Sequence, residues 1–401
     1  MNILFLCDEY PPCQHGGIGS VTQTLARELV LKGHQVSVCG FYPYYRTALP
    51  FEDDLGVRIY RCFYGSRLLL KISRNKYLGW FVNIESRFNS YTRFLKELIK
   101  KNSIDIIEIP DFNEIFRYSG PRFIRFPDFG IPTVVKLHGN FSFFDHLKKE
   151  YSFNKSVYKK ELYLLRNANK VLAISEYSSN VVKKIFNYQQ NIEVIYNGIS
   201  IINYGKYQEE SGVQTVVFAG TLEEKKGVVS LISAWEKVIT DIPSAKLLLY
   251  GKGGKGFIEK INNLISYKMR GSIEIKGFVA RDMLPEIYRN ASCAVFPSYA
   301  ESFGMAPLES MLTGCPTIFT KRASGEELIV SGITGLLIDP DDIPETADAI
   351  IKMLSDRKSA KEMGRRGAEV VKNMFDISGI ADKHIKLYKS IISFQQNKSS
   401  N

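Results

Sequence analysis

Two carboxylates eight residues apart, Glu301 and Glu309, lie in the segment of the sequence that is best suited to chemistry. They bracket a Phe-Gly pair and a proline that fits the first turn of a helix. Backbone N–H groups at Gly304, Met305 and Ala306 would then face an anion such as a phosphate. Glu309 could accept hydrogen bonds from two hydroxyls of a ribose, and Glu301 could hold hydroxyls of a sugar. The alternative is that both carboxylates only stabilise the helix dipole.

Glycines and lysines at two other turns offer a second set of anion-binding groups. Gly16, Gly17 and Gly19 follow the first predicted strand and open a helix, so bare backbone can approach a charged group. Lys225 and Lys226 lie between a predicted strand and a helix, where ammonium groups can neutralise a departing pyrophosphate. A tight structural turn and two solvated surface lysines are the respective alternatives.

A single histidine, His138, ends an apolar run over 131–137 and precedes a glycine. At the end of a strand its ring is expected to emerge at the edge of a cleft. A histidine with a purely structural role remains the alternative.

The elements that must position these residues follow one repeating pattern, a short β-branched run, a turn with glycine and an amphipathic helix. This pattern predicts parallel βαβ units, and it occurs in both halves of the chain. We therefore predict an α/β protein with two doubly wound, Rossmann-like sheets facing each other across a cleft. The predicted parts are an N-terminal domain over 1–200, a linker over 201–213, a C-terminal domain over 214–375 and a last helix over 376–401.

Composition excludes several classes of protein. With 401 residues, 45% hydrophobic and 24% charged, the chain is globular and long enough for two or three domains. No apolar run approaches the roughly 20 residues of a membrane span, and the N-terminus reads as a buried strand, so we expect a cytoplasmic protein. Six cysteines without a CxxC pair are expected to be reduced, and five histidines without metal-ligand spacing predict no metal site.

The net charge of +11 is concentrated in the first half, where residues 1–200 contribute 27 bases against 18 acids. Residues 66–101 hold nine bases and two acids interleaved with aromatic residues. A solvated helix face is one interpretation. The other is a docking surface for an anionic membrane, which would make the protein peripheral on the inner membrane face. No nucleic-acid-binding motif accompanies the charge, so a nucleic-acid partner is not expected.

Two other motifs are rejected. The glycines 251, 253 and 256 mimic a dinucleotide-binding loop, but lysines stand between them and the acid 23 residues on, Glu274, is poorly placed for a ribose. The acidic run 339–342 mimics a metal clamp, but it precedes a predicted helix and is interpreted as a helix cap.

The segment around Glu301 and Glu309 resembles the E-x7-E motif of retaining GT-B glycosyltransferases of family 4, which transfer sugars in lipopolysaccharide, capsule and glycolipid assembly. The resemblance extends over nearly the whole chain. It is carried in order by the segments 16–19, 136–139, 175–178, 197–198, 220–227, 250–253, 277–279, 297–311 and 332–337. One departure is Thr221, where many members have an arginine.

The resemblance implies a role for each site residue. The catalytic set would be Glu301, His138 and Lys226. The donor, a nucleoside diphosphate sugar, would be bound by Gly16, Gly17, Gly19, Lys225, Gly277, Phe278, Val279, Ser302, Phe303, Gly304, Met305, Ala306 and Glu309. The nucleobase would lie near 277–279, and no metal or other cofactor would be required.

The resemblance also implies the rest of the reaction. A saccharide or lipid-linked acceptor would enter from the first domain, and the last helix would return to that domain. The departing phosphate would take the acceptor proton, so no dedicated general base is needed. Two alternatives remain open: another GT-B enzyme, such as a glycogen-synthase-like transferase or a sugar-nucleotide epimerase, and a nonenzymatic subunit that binds sugar nucleotide.

Overall fold

The structure, a computed structural model, describes residues 1–12, 16–42, 49–63, 78–112, 128–147, 154–202 and 212–399, without the side chains of 63, 78–89 and 399. Two compact units make up the chain. The first contains Met1–Ile174, Ser178–Gly198 and Ile377–Asn401, and the second contains Ser175–Tyr177 and Ile199–Asp376. Most of the predicted linker, 203–211, lies outside the described residues.

The first unit is built on an eight-stranded sheet with the order β3-β4-β2-β1-β5-β6-β7-β8. All neighbours are parallel except β3 and β4. The strands are β1 (Asn2–Leu6), β2 (Gln35–Tyr42), β3 (Phe51–Asp54), β4 (Val57–Phe63), β5 (Ile106–Pro110), β6 (Thr133–Leu137), β7 (Lys170–Ala173) and β8 (Ile192–Val194).

Helices of the first unit connect these strands. They are α1 (Gly17–Leu31), α2 (Leu78–Lys101), α3 (Phe141–His146), α4 (Lys155–Asn167), α5 (Glu176–Phe186, whose first two residues group with the second unit) and α13 (Ile377–Ser399). The sequence did not lead us to expect β3, α3 or α4. Asparagine side chains cap the two helices: Asn140 accepts from the N–H of Phe143, and Asn154 from those of Ser156 and Val157.

The core of the first unit includes the C-terminal helix. Ile377, Ile380, Ala381, Leu387 and Tyr388 of α13 are buried in one cluster with apolar residues of α1 and of strands β1, β2, β4, β5, β6 and β7. A helix that buries a whole face in this way contributes to the stability of the unit through the hydrophobic effect.

The second unit is built on a six-stranded, fully parallel sheet with the order β11-β10-β9-β12-β13-β14. Its strands are β9 (Thr215–Ala219), β10 (Lys246–Tyr250), β11 (Ile273–Gly277), β12 (Cys293–Phe296), β13 (Thr317–Thr320) and β14 (Leu336–Ile338). Its helices are α6 (Val228–Asp241), α7 (Lys255–Leu264), α8 (Leu284–Asn290), α9 (Met305–Leu312), α10 (Gly325–Leu328), α11 (Ile343–Ser355) and α12 (Arg357–Met374). Short 3-10 turns at Glu224–Lys226 and Arg281–Met283 precede α6 and α8.

Both sheets reverse their strand order at one point. In the first sheet this point lies between β1 and β5, and in the second it lies between β9 and β12. Loops leaving the carboxyl ends of two such strands diverge to opposite faces, which opens a crevice where open α/β sheets bind ligands. Each unit is therefore an α/β domain with a binding crevice set by its topology.

Candidate functional site

The crevice of the second unit brings Lys226 and Glu301 together. Lys226 ends the 3-10 turn that follows β9, and Glu301 lies in the loop that follows β12. Their side chains form an ion pair, and both are mostly shielded from solvent. The backbone carbonyl of Lys225 accepts hydrogen bonds from the N–H groups of Tyr299, at 2.8 Å, and Ala300, at 3.3 Å. The two loops are thus joined by backbone as well as by charge.

Close packing at Gly227 fixes this junction. Gly227 has φ +72° in the left-handed region, and a Cβ atom there would lie 1.8 Å from the carbonyl oxygen of Pro297. Since only glycine fits such an approach, the turn that carries Lys226 must rest directly on the end of β12.

The N-terminus of α9 is formed at Gly304, whose φ of +107° is again left-handed. The N-cap is a glycine, and no side-chain cap is found within the described residues. The N–H groups at Met305 and Ala306, in the first turn of the helix, could therefore donate to an anion. Ser175 Oγ donates to the carbonyl of Ser302 at 2.9 Å, which holds the approach to the helix.

Phe303 contributes its backbone alone to this region. Its ring is buried against Phe375, with the ring centroids 5.9 Å apart. Its carbonyl accepts a hydrogen bond from Ser324 Oγ. Phe303 was predicted to bind the donor. Its side chain instead belongs to the core, so only its backbone N–H could contact a ligand.

Glu309, one turn into α9, is paired with an arginine that sequence reasoning missed. Both Nε and Nη2 of Arg281 donate to Oε1 of Glu309, the first at 2.8 Å. Arg281 opens the 3-10 turn before α8, and α8 packs against α9. A basic residue four positions after Gly277 was visible in the sequence, but its partner depends on how these two helices pack.

The end of β11 presents Phe278 to solvent, with 67% of the residue exposed. Lys252, in the loop after β10, places its Nζ atom 4.2 Å from the centroid of the Phe278 ring, within the range of a cation–π contact. Gly277 ends β11 directly before Phe278, and Val279 follows it in the chain. Lys252 belongs to the segment that mimics a dinucleotide-binding loop. Its contact with Phe278 shows that it lies beside the predicted nucleobase site.

In the first unit, Gly16, Gly17 and Gly19 lie at the N-terminus of α1, at the crevice beside β1. The N-cap residue Gly16 has no side chain to cap the helix, and among the described residues its own N–H donates to Glu9 Oε2 at 3.1 Å. Gly16 and Gly17 are exposed, while Gly19 is buried. The backbone of Gly17 is thus accessible to a ligand, the N–H of Gly16 is bonded to Glu9, and Gly19 is a packing residue.

His138 follows β6 in the first unit and is held by a buried carboxylate that the sequence did not reveal. Asp111, after β5, accepts from the N–H of His138 at 2.7 Å and from that of Gly139 at 3.3 Å. Burial raises the pKa of Asp111 to about 7, although these N–H groups oppose the shift. Burial and then the charge of Lys136 lower the pKa of His138 well below its usual range, so its ring is neutral.

A second carboxylate holds the continuation of the same loop. Glu161 on α4 accepts from the N–H groups of Phe141, at 2.9 Å, and Ser142, at 3.3 Å. Burial raises the pKa of Glu161 to about 8, and the charge of Asp111 adds to the shift. The segment from His138 to Ser142 therefore has four N–H groups fixed by two carboxylates.

The acidic run 339–342 has the structural role that the sequence indicated. Asp342 caps α11 by accepting from the N–H of Glu345 at 2.8 Å. Asp339 and Asp341 both pair with Arg322. Among the residues that the structure describes, no group of three or more histidine, cysteine or acidic side chains is arranged to hold a metal ion.

The basic segment 66–101 is described only in part. Residues 66–77 and the side chains of 78–89 lie outside the described residues, so the docking surface remains a prediction. Within the described part, Tyr91, Leu95 and Leu98 are buried, while Lys96, Lys100 and Lys101 are exposed. None of the described helices has the length and apolarity that a membrane span requires.

Comparison with known proteins gives consistent results over most of the chain. Residues 15–203 match the family model Glycosyltransferase Family 4, and residues 203–370 match Glycosyl transferases group 1. An uncharacterized glycosyltransferase of Methanocaldococcus jannaschii is 25% identical over 408 residues, which cover 97% of this chain and 98% of the relative.

Solved structures share the fold. Sucrose-phosphate synthase from Thermosynechococcus elongatus gives a TM-score of 0.79 at 19% identity, over 98% of this chain and 99% of that one. Anabaena HepE, solved in complex with UDP and glucose, gives 0.71 at 20% identity, over 97% and 100%. Because the two family models together span residues 15–370, the chain belongs to the group 1, family 4 glycosyltransferases and is an enzyme with the GT-B fold.

Proposed function

We propose that this glycosyltransferase moves a sugar from a nucleoside diphosphate sugar to an acceptor hydroxyl, with retention of the anomeric configuration and without a metal ion. The observation that carries the proposal is the Lys226–Glu301 ion pair at the crevice of the second unit, beside the N-terminus of α9. A cation and free backbone N–H groups suit a diphosphate, and a carboxylate suits sugar hydroxyls.

The second unit would bind the donor through groups with distinct chemistry. Lys226 and the N–H groups at Gly304 and Met305 would stabilise the charge that develops on the departing diphosphate, which is the main electrostatic task in this reaction. Glu309 would accept hydrogen bonds from the ribose. Phe278, exposed beside Lys252, would lie against the nucleobase.

The first unit would contribute the acceptor side. His138, neutral and fixed through its backbone by Asp111, would contact the donor sugar or the acceptor. The departing phosphate would take the proton of the acceptor hydroxyl, so these residues need only orient the reactants. Anabaena HepE was solved with UDP and glucose, and this supports a nucleoside diphosphate sugar as the donor here.

Family similarity favours the assembly of cell-surface polysaccharide, lipopolysaccharide or capsule as the biological role. We place the protein in the cytoplasm, peripheral on the inner membrane face if residues 66–101 dock there. The basic excess in this segment, nine bases against two acids, supports such a surface.

A thermal-shift panel tests the donor site. UDP-, GDP- and ADP-sugars, the free diphosphates and NAD are added, with and without EDTA, to the wild type and to Glu309→Ala. One nucleotide should raise the melting temperature of the wild type, and this shift should be lost in the variant and unchanged by EDTA. A shift that requires a divalent metal would contradict the metal-free site, and a shift with NAD alone would contradict the donor class.

Retention is tested by the product. With an α-linked donor that binds, the glycoside formed should show an α linkage by NMR, read from the H1–H2 coupling for a gluco or galacto sugar and from the one-bond C1–H1 coupling for a manno sugar. A β-linked product would refute retention and leave the donor class intact.

A further inference from the structure

Glu309 is held on one side only. Its oxygen Oε1 accepts from both Nε and Nη2 of Arg281, whereas Oε2 has no hydrogen-bond partner among the described residues. The Glu309 side chain is 15% exposed and that of Arg281 is 46% exposed, so a ligand can reach both. This leaves one oxygen of a fixed carboxylate free to accept hydrogen bonds.

The surroundings provide no substitute for the arginine. Tyr288 on α8 is fully buried near the pair, and the charges of Glu309 and Arg281 both act on the pKa of its hydroxyl, which burial raises. That hydroxyl makes no hydrogen bond within the described part of the chain. Among the described residues, Arg281 is therefore the sole hydrogen-bonding partner of the Glu309 carboxylate.

We propose that Arg281 is a positioning residue that fixes the Glu309 carboxylate for the ribose of the donor nucleotide and balances its charge against the diphosphate. This inference rests on the proposed function. A guanidinium that donates twice to one oxygen restricts rotation of the carboxylate, so Oε2 keeps a constant direction. Without Arg281, Glu309 would rotate freely and would present an uncompensated negative charge to a ligand that is itself an anion.

Selectivity for the ribose hydroxyls separates this role from a purely structural one. A hydroxyl bonded to a fixed carboxylate makes a charge-assisted hydrogen bond, so its removal from the ligand should weaken binding by about tenfold to a hundredfold. A carboxylate that rotates discriminates less. A contact that only stabilised the packing of α8 on α9 would leave this discrimination unchanged.

The test uses calorimetric binding of UDP, GDP and ADP, together with the 2′-deoxy and 3′-deoxy forms and the matching nucleoside of whichever diphosphate binds. The wild type, Arg281→Ala and Arg281→Lys are compared. Arg365→Ala is the matched control, because Arg365 also pairs with acidic residues, Glu362 and Glu369, but on the exposed surface of α12. Folding of each variant is checked by its melting curve, and Arg281→Lys serves if Arg281→Ala does not fold.

We expect Arg281→Ala to reduce the preference for ribose over the deoxy forms to about threefold or less. We expect Arg281→Lys to keep part of it, since lysine retains the charge but not the two-donor geometry. The diphosphate should also lose more affinity than the matching nucleoside, because Glu309 then repels the phosphates. Arg365→Ala should behave as the wild type.

Two results would overturn the inference. If Arg281→Ala, or Arg281→Lys where the alanine variant does not fold, binds the diphosphate with the wild-type affinity and the wild-type preference for ribose, Arg281 has no positioning role and the proposed function stands. If the wild type binds none of the diphosphates, the proposed donor site is wrong and the inference fails with it.

Discussion

Lys226 and Glu301 form an ion pair although 75 residues separate them in the chain. They meet because β9 and β12 are neighbours at the point where the strand order of the second sheet reverses. Topology therefore creates the contact, and the Gly227–Pro297 approach fixes its geometry. A pair assembled at a topological crevice is suited to binding rather than to stability alone.

Lys226→Ala should lower kcat/KM about 100-fold or more while costing only about 1 kcal/mol of unfolding free energy. The reason is that the ammonium group stabilises charge formed in the transition state, whereas one ion pair adds little to folding. Steady-state kinetics and urea unfolding check the two effects. Lys237→Ala, which breaks the exposed Lys237–Asp348 pair in the same unit, is the control. Equal kinetic losses in both variants would contradict a specific role for Lys226.

Gly227→Ala should destabilise the second unit by more than about 3 kcal/mol. A methyl group would clash with the carbonyl of Pro297 and would also occupy a left-handed backbone conformation. Gly256→Ala is the matched substitution, since Gly256 lies inside α7 with nothing within 4 Å of its Cβ position. It should be neutral or stabilising by about 0.5 kcal/mol, measured as the urea midpoint.

The repeating strand–turn–helix pattern of the sequence predicted the fold. Elements that lack this pattern were not predicted. The strand β3, Phe51–Asp54, is acidic and lies at the sheet edge, where no buried face imposes alternation beyond its pairing with β4. The helix α4 was not expected, because charged residues interrupt its apolar positions. In both, tertiary contacts decide the structure more than local propensity.

The candidate site was predictable residue by residue, yet its pairings were not. Glu301, Glu309 and Lys226 could be singled out by type and position, since strand ends and a helix start can be seen in a sequence. Arg281 and Asp111 could not, because their partners are set by how α8 meets α9 and by the adjacency of β5 and β6. Register and packing, which are not local properties, supply this information.

Glu161→Gln should change the pH dependence of stability in the first unit. Burial raises the pKa of Glu161 to about 8 in the folded protein, above its unfolded value. The stability that protonated Glu161 contributes is therefore fully present at low pH. It is lost as the pH rises toward 8, because Glu161 ionises at a lower pH in the unfolded chain than in the folded protein. Glutamine does not ionise, so the melting temperature of the variant relative to the wild type should rise between pH 5 and about 8.

Melting curves at several pH values, with Glu97→Gln as control, check this prediction. Glu97 is exposed on α2 in the same unit. The N–H groups of Phe141 and Ser142 donate to different oxygens of Glu161, so glutamine keeps one of the two acceptors. Loss of the other acceptor adds a destabilisation that does not change with pH. A difference between Glu161→Gln and wild type that stays constant with pH would show that Glu161 remains ionised throughout, contrary to the effect of its burial.

A buried polar network attaches α13 to the sheet of the first unit. Tyr388 donates to Glu108, and the Nζ atom of Lys136 lies 3.7 Å from the other oxygen of that carboxylate. The same Nζ lies 3.2 Å from Nε2 of His384, whose pKa is lowered by burial and by the charge of Lys136. A neutral His384 accepts from the ammonium group at Nε2 and donates to the Ile380 carbonyl from Nδ1.

Tyr388→Phe should cost about 1 to 3 kcal/mol, because it leaves an oxygen of the buried Glu108 without its donor. Tyr288→Phe is the matched comparison. Both tyrosines are fully buried, but the Tyr288 hydroxyl has no partner among the described residues, so its removal should be neutral or stabilising. Urea unfolding followed by fluorescence checks both. If the two units unfold in separate transitions, Tyr388→Phe should lower the free energy of unfolding of the first unit. Equal losses of unfolding free energy in the two variants would refute the role of the network.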